Sequence, residues 1–452
     1  MQDIYDYIEA HADEYIRDLQ RLVQQPSISA QNVGLRECAE LVYAMMKADG
    51  LDAHVHELEG GPPVITGHMT TSQSSRTMLC YSHYDVQPPE PLDVWRYGGP
   101  WSAEIVDGVL YGRGATDNKS GVLAFNKAAQ AFLKVRGELP VNLKFIIEGE
   151  EEIGSIHLGP WVEKNTELLA ADGMHCLDGS VDTSTGLPDI DLGLKSVLMV
   201  ELVARGANAD IHSLNFPLLP APVWDLVRAL NTIMDDQRRI LIDGWYEGLY
   251  ELQDEDYEQL EDKLRRINLD DMRREWGIEQ FALGRDGIEA IKARNFEPTA
   301  NIQGIVGGYT GAGSKTIVPN EARAKMDFRL IPNIDPLKAM EKLKAHLQKH
   351  GFGHIEVIFR GTAEPPYKIS VKEPMSQAVI AAATQVYGQL PIVNGVSAEG
   401  TILKHVWIPC VLTGFANPGA NLHAPNENIR LDHYIKGIKY AAAIMAEFGK
   451  GT

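Results

Sequence analysis

The sequence predicts an α/β protein: a mixed, largely parallel sheet sandwiched by helices, interrupted by an inserted α+β segment. Three observations lead there. Short apolar runs alternate with helical stretches at both ends of the chain, as in a sheet covered by helices. The middle changes character, with alternating strands around an acidic helical stretch. The 452 residues exceed the size at which one core stops growing, so two domains are expected. The boundaries that follow are 1–194 and 370–452 for a discontinuous first domain and 195–369 for the second.

Ile4, Ile8, Tyr15, Leu19, Leu22 and Val23 are spaced for one face of a helix over 4–24, which "QPSIS" ends. A second helix is expected over 35–49. "TMLCY" (77–81) reads as a core strand, and "VDGVLYG" (106–112) as a hairpin turning on Asp-Gly. Helices over 119–135, 372–388 and 433–448 intervene between apolar runs at 141–149, 174–179 and 408–415. In the middle, "KSVLMVELVARG" (195–206) precedes the acidic helical stretch 249–267. "EARAKMDFRLIP" then places Met326, Phe328 and Leu330 on one face of a strand and Arg323, Lys325, Asp327 and Arg329 on the other. A helix with Asp335 as N-cap and Pro336 in its first turn follows, then the strand "HIEVIFRG".

A formal net charge of −20 argues against a nucleic-acid partner, which needs clustered Lys and Arg. No apolar run approaches the ~18–20 residues of a membrane span. The first residues read as an acidic amphipathic helix rather than a secretion signal. The four cysteines form no C-x-x-C pair. A cytoplasmic protein, bound to neither nucleic acid nor membrane, is the expectation.

Ionisable residues recur where core strands end. "TMLCYSHYD" ends on His83 and Asp85, "GRGATDNKSG" puts Asp117 ahead of a helix, and "KFIIEGEEE" ends on Glu150, Glu151 and Glu152. "MHCLDG" ends on Asp178, and "GFANPGANLHAPNEN" puts His423 in a loop. Taken singly, each is an ordinary turn or cap. Together they converge on the crevice that open α/β sheets form at strand C-termini. Imidazoles and carboxylates without thiolate suit a hard or borderline divalent metal. Their surplus over one ion's needs points to two metals sharing a carboxylate. Asp85, two residues from His83, is placed to orient its ring. Alternation at a strand end directs Glu151 and Glu152 differently, so one ligates and the other takes a proton from water.

"SHYDVQP", "VDGVLYGRGATDNKSG", "EGEEEIGS", "CLDGS", "DIHS", "GAGSKTIVP", "FRLIPN" and "LHAPNEN" occur in an order that resembles the dinuclear-zinc exopeptidases and deacylases. That family includes carnosine dipeptidases, aminoacylase, desuccinylase and glutamate carboxypeptidase, and the resemblance is nearest to its cytosolic, carnosinase-like dipeptidase branch. It implies a metal-binding catalytic domain and a lid domain through which two chains dimerise. It also implies two divalent ions per subunit: zinc, with manganese or cobalt as alternatives. His83 and Asp178 would be terminal ligands of one metal, and Glu152 and His423 of the other. Asp117 would bridge them, followed by a cis peptide. Glu151 would be the base that activates the metal-bridging water, and Asp85 the partner of His83. His212 would reach the neighbouring subunit's site as an oxyanion donor, while Arg329 and Thr316 would hold the substrate's carboxylate end. Aspartate at 178 implies a dipeptidase rather than a carboxypeptidase or deacylase.

Two segments depart from that pattern. "HSLNFPLLPAP" follows His212 without the usual glycines, and "SAEGTI" puts Gly400 and Thr401 where substrate is held. Both bear on substrate identity rather than metal binding. The expected function is hydrolysis of dipeptides or short peptides. The alternatives are an N-acyl amino-acid amidohydrolase and a catalytically silent peptide-binding homologue. "GGYTGAGSKT" is not a phosphate loop, because Ser314 displaces the Gly-Lys pair.

Overall fold

A computed structural model describes residues 1–183, 185–361, 365–397 and 408–450. Its main sheet has eight strands. In order across the sheet they are Asp52–His56, Val64–Met69, Asn142–Glu148, Thr77–His83, Gly173–Ser180, Cys410–Ala416, Asp189–Asp191 and Ile392–Asn394. The four central strands, from Asn142–Glu148 to Cys410–Ala416, are mutually parallel. The first two form an antiparallel hairpin at one edge. Strand alternation loads both faces. Met78 and Cys80 join the core under the helices Lys119–Arg136, Pro374–Tyr387 and Leu431–Gly449, while Leu79 and Tyr81 join the core under Leu158–Lys164. This is the mixed, helix-covered sheet that the sequence predicts.

The hairpin at Asp107-Gly108 forms as expected, with both turn residues at positive φ (50° and 76°), the backbone that a two-residue turn needs. Its second strand, Val109–Tyr111, also pairs with Asn428–Arg430 and so anchors the loop that carries His423. The long N-terminal helix differs from expectation. It breaks at His11 into Gln2–Ala10 and Ala12–Val23. His11 leaves the helical region, its ring bonded to the Tyr7 carbonyl at 2.8 Å and stacked on the Tyr7 ring.

A second sheet has four antiparallel strands in the order Thr299–Gly307, Glu321–Leu330, Ser196–Arg205 and Glu356–Arg360. Ala322, Ala324, Met326, Phe328 and Leu330 point into its core beneath the helices Pro222–Ile233 and Pro336–Lys349. The Asp335 side chain accepts from the Lys338 amide, capping the latter helix. The acidic helix is Asp254–Arg266. It does not stay over the second sheet: Leu260, Ile291 and Phe296 pack with Val396, and Lys263 Nζ donates to Asn394 Oδ1 at 2.7 Å. This part of the inserted sequence therefore covers the far edge of the main sheet. No described helix is long and apolar enough to cross a membrane.

Candidate metal centre

His83 is the last residue of its strand and is wholly buried. Its Nδ1 lies 3.3 Å from Asp85 Oδ1, and its Nε2 lies 3.1 Å from Asp117 Oδ1 and 3.4 Å from Asp178 Oδ2. Nε2 makes no hydrogen bond of normal geometry, although two carboxylates surround it. On the other side, Asp117 Oδ2 is 2.9 Å from His423 Nε2, which is 3.2 Å from Glu152 Oε2. Two groups of three donor atoms result, His83–Asp117–Asp178 and Asp117–Glu152–His423, each drawn from within 4.8 Å. Asp117 belongs to both and turns a different oxygen to each. The peptide bond after it is cis.

Neighbouring groups fix these positions. Asp85 Oδ1 accepts from the Glu151 amide and Oδ2 from the Glu152 amide, both at 3.1 Å. The core strand ends at Glu148, and Glu151–Ile153 is a single 3₁₀ turn. The two glutamates therefore diverge because a tight turn rotates successive side chains by about 120°, not through strand alternation as the sequence suggested. Two positioning residues escaped the sequence reading. Glu427, fully buried, accepts from the amides of Gly114, Thr116 and Asp117 and pairs with Arg113 at 2.6 Å, so it holds the whole Asp117 loop. Gln87 donates to Glu152 Oε2 at 2.9 Å. Their signals were present, a carboxylate in "LHAPNEN" and an amide in "SHYDVQP", but both act on groups distant in sequence.

The electrostatics call for a cation. Among the described residues of the two donor groups and their neighbours, Asp85, Asp117, Glu151, Glu152 and Asp178 are matched by two imidazoles, His83 and His423. Burial lowers the proton affinity of His83, yet the Asp178 charge and the close approach of the Asp117, Asp178 and Asp85 carboxylates raise it well above the usual histidine value. Hydrogen bonds to Asp117 and Glu152 push His423 up to about 10. Burial raises Glu151 well above the carboxylate range and raises Glu152 as well. Burial acts against ionisation of Asp117 too, but its bonds to His423 and His83 keep its pKa well below the usual value. The carboxylates outnumber the imidazoles, a surplus of negative charge that divalent ions would balance. Such ions would compete with protons for the same donor atoms, and the donor set suits zinc-class ions.

A cavity of about 410 Å³ opens on the cluster. Asp117, Glu151, Asp178 and His423 line it, together with the apolar Leu177, Leu412 and Phe415. A larger cavity of about 880 Å³, lined by Met272, Trp276 and Phe281 among others, contains none of the candidate catalytic, metal-binding or substrate-binding residues; chemistry rather than size selects the site. His212, Thr316 and Arg329 are not among the residues lining the cluster cavity. His212 is exposed on the short strand Ile211–His212, with Nε2 3.5 Å from Thr316 Oγ1. Arg329 lies on the second sheet opposite Val197 and Thr299. Gly400 and Thr401 lie outside the described residues.

Residues 79–447 match the family described as Peptidase family M20/M25/M40. The chain is 30% identical over 481 residues to a Beta-Ala-His dipeptidase of Homo sapiens, covering 100% of this chain and 93% of that protein. It is 28% identical over 471 residues to the Cys-Gly metallodipeptidase dug1 of Schizosaccharomyces pombe, covering 97% and 96%. Among solved structures, it is similar to the M20 family metallo-carboxypeptidase Sso-CP2 from Sulfolobus solfataricus, with a TM-score of 0.89 and 37% identity over 97% of this chain and 100% of that one. With its strand-end carboxylates and imidazoles in two overlapping groups, the chain belongs to peptidase family M20/M25/M40.

Proposed function

We propose that the protein hydrolyses the peptide bond of dipeptides or short peptides at the His83–Asp117–His423 cluster. The observation that carries this is one carboxylate, Asp117, shared by two donor triads, with half-buried Glu151 in the same cavity. His83, Asp117 and Asp178 would hold one divalent ion, and Asp117, Glu152 and His423 a second; zinc fits the donors, with manganese or cobalt as alternatives. Bound there, the ions would supply Lewis acidity, which brings the pKa of water to about 7. Glu151, with its proton affinity raised by burial, accepts the proton of the attacking water and delivers it to the leaving amine. Asp85 holds the Glu151 and Glu152 amides and the His83 ring in place during the transfer. The apolar wall of Leu177, Leu412 and Phe415 accommodates an uncharged substrate side chain.

His212 is assigned to the neighbouring subunit's site, in a homodimer formed through the second sheet and its helices. Its exposure supports this, as do the exposed Leu214 (81%), Phe216 (47%) and Leu218 (84%) beside it, an apolar projection that assembly would cover. Arg329 and Thr316, with Gly400 and Thr401, are assigned to the substrate's carboxylate end. The buried free cysteines Cys38, Cys80, Cys176 and Cys410 fit a reducing cytoplasm.

The similarity to a protein described as a metallo-carboxypeptidase favours one second reading: removal of C-terminal residues from N-acylated or longer substrates. Parallel assays of free dipeptides, N-acetyl amino acids and N-blocked peptides, each with zinc, manganese and cobalt, separate the two. Turnover of blocked substrates alone would overturn the dipeptidase reading.

A further inference from the structure

The hairpin at the edge of the main sheet carries another set of donors. In its antiparallel register Asp52 lies opposite His68, and His54 opposite Thr66. Strand alternation puts Asp52 and His54 on one face, and His68, directly across from Asp52, shares it. Asp52 Oδ1 is 3.5 Å from His54 Nε2, and Asp52 Oδ2 is 3.6 Å from His68 Nδ1. All three side chains are about half exposed. The two rings lie nearly parallel, 16° apart, with centroids separated by 6.5 Å.

We propose that Asp52, His54 and His68 form a further divalent-metal site, separate from the catalytic cluster and selective for zinc-class or copper-class ions. Each imidazole nitrogen lies 3.5–3.6 Å from an Asp52 oxygen, near the roughly 3.4 Å edge of a tetrahedron with metal–ligand bonds of about 2.0–2.1 Å, and one donor atom from each of the three residues falls within 4.8 Å of the others. Two imidazoles and one carboxylate favour such ions over magnesium or calcium, which take oxygen. Two of the donors sit on one strand and the third directly across a paired strand, so little ordering is needed to bring them together. Three protein ligands leave the remaining position to water.

The site stands apart from the catalytic one. His68 pairs with Lys144, and Lys144 pairs with Leu79, four residues before His83. Two strand spacings sideways and four residues along put the two sites on the order of 15 Å apart, with no residue in common. Lys47 Nζ sits 3.6 Å from Asp52 Oδ1 and is the natural competitor for the ion. An ion held there ties the edge strand Asp52–His56 to its neighbour and stabilises the folded chain by mass action.

The test counts metal by equilibrium dialysis on full-length protein carrying its catalytic ions, in excess zinc chloride. The H54A/H68A double variant should bind one ion fewer per chain than the unsubstituted protein, and Asp52→Asn should bind zinc more weakly. Lys47→Gln should keep the count and tighten binding roughly two- to five-fold, the scale of an exposed ion pair. With cupric ion, electron paramagnetic resonance should show two-nitrogen coupling that the double variant loses. Equal ion counts in the double variant and the unsubstituted protein would overturn the site. A difference between variants leaves the dinuclear reading untouched; failure of that reading would appear in the total and not in the difference.

Discussion

The two sheets treat their functional residues in opposite ways. The main sheet runs four parallel strands toward one end, where Asp85, Asp117, Glu151, Glu152 and Asp178 gather, buried or half-buried, around two histidines. There, burial and close partners move the proton affinities of His83, Asp117, Glu151, Glu152 and His423. The antiparallel sheet buries one face under its helices, and the short strand Ile211–His212, paired with Ile317–Val318 in the same insertion, leaves His212 in the open. A group in the first setting has its chemistry set by its own chain. A group in the second acquires a role only when something is placed against it.

The largest expected effect breaks the first half of that contrast. Glu151→Gln should lower kcat by about 10³-fold or more, within the range for a lost general base, with metal content unchanged. Normal turnover would remove Glu151 from the mechanism. The next tests the second half. His212→Ala should cost about 10²–10³-fold, as for a lost oxyanion donor. If His212 acts across subunits, equal mixing of inactive Glu151→Gln and His212→Ala chains should recover about a quarter of full activity, because half the dimers are mixed and each has one complete site. A mixture no more active than its components would return His212 to an ordinary surface role.

A pH experiment sharpens the comparison within the main sheet. His175 is wholly buried, neither ring nitrogen has a hydrogen-bond partner, and burial lowers its pKa to about 3. The unfolded chain takes up this proton at the ordinary histidine pKa, and the folded chain does not. Stability present above about pH 6.5 is therefore lost as pH falls toward 3, and amounts to about 2 kcal/mol by pH 5. Denaturant midpoints should fall over this range, and His175→Phe should flatten that part of the slope. The smallest effect belongs to the second sheet. Asp335→Ala removes the cap of Pro336–Lys349 and should cost about 1 kcal/mol in unfolding while leaving metal binding unchanged.

Much of the main sheet was readable because its signals are local. "TMLCYSHYD" shows a buried strand and the polar groups at its end in nine residues. The same locality explains what was missed. Glu427 works on amides more than 300 positions earlier, and no spacing pattern reveals that. The divergence of Glu151 and Glu152 was anticipated, but its cause, a 3₁₀ turn, was not, because "EGEEE" has no apolar residue to mark where the strand stops. The helices from 254 to 296 read as part of the insertion, yet Lys263 and Phe296 face the segment 394–396. Sequence continuity says where a segment is inserted, and only packing says what it covers.

Asp85 turns one oxygen toward both His83 Nδ1 and the Glu151 amide, and the other to the Glu152 amide. The Asp85 carbonyl adds a hydrogen bond to the same Nδ1 at 3.2 Å, so one residue sets the aim of an imidazole and its carboxylate the aim of both glutamates. Such a hub resists gradual change: a substitution there disturbs three groups of the cluster together. Divergence of substrate choice within this architecture is thus channelled to the periphery, to segments such as 213–218, where a side chain can be exchanged without moving the hub.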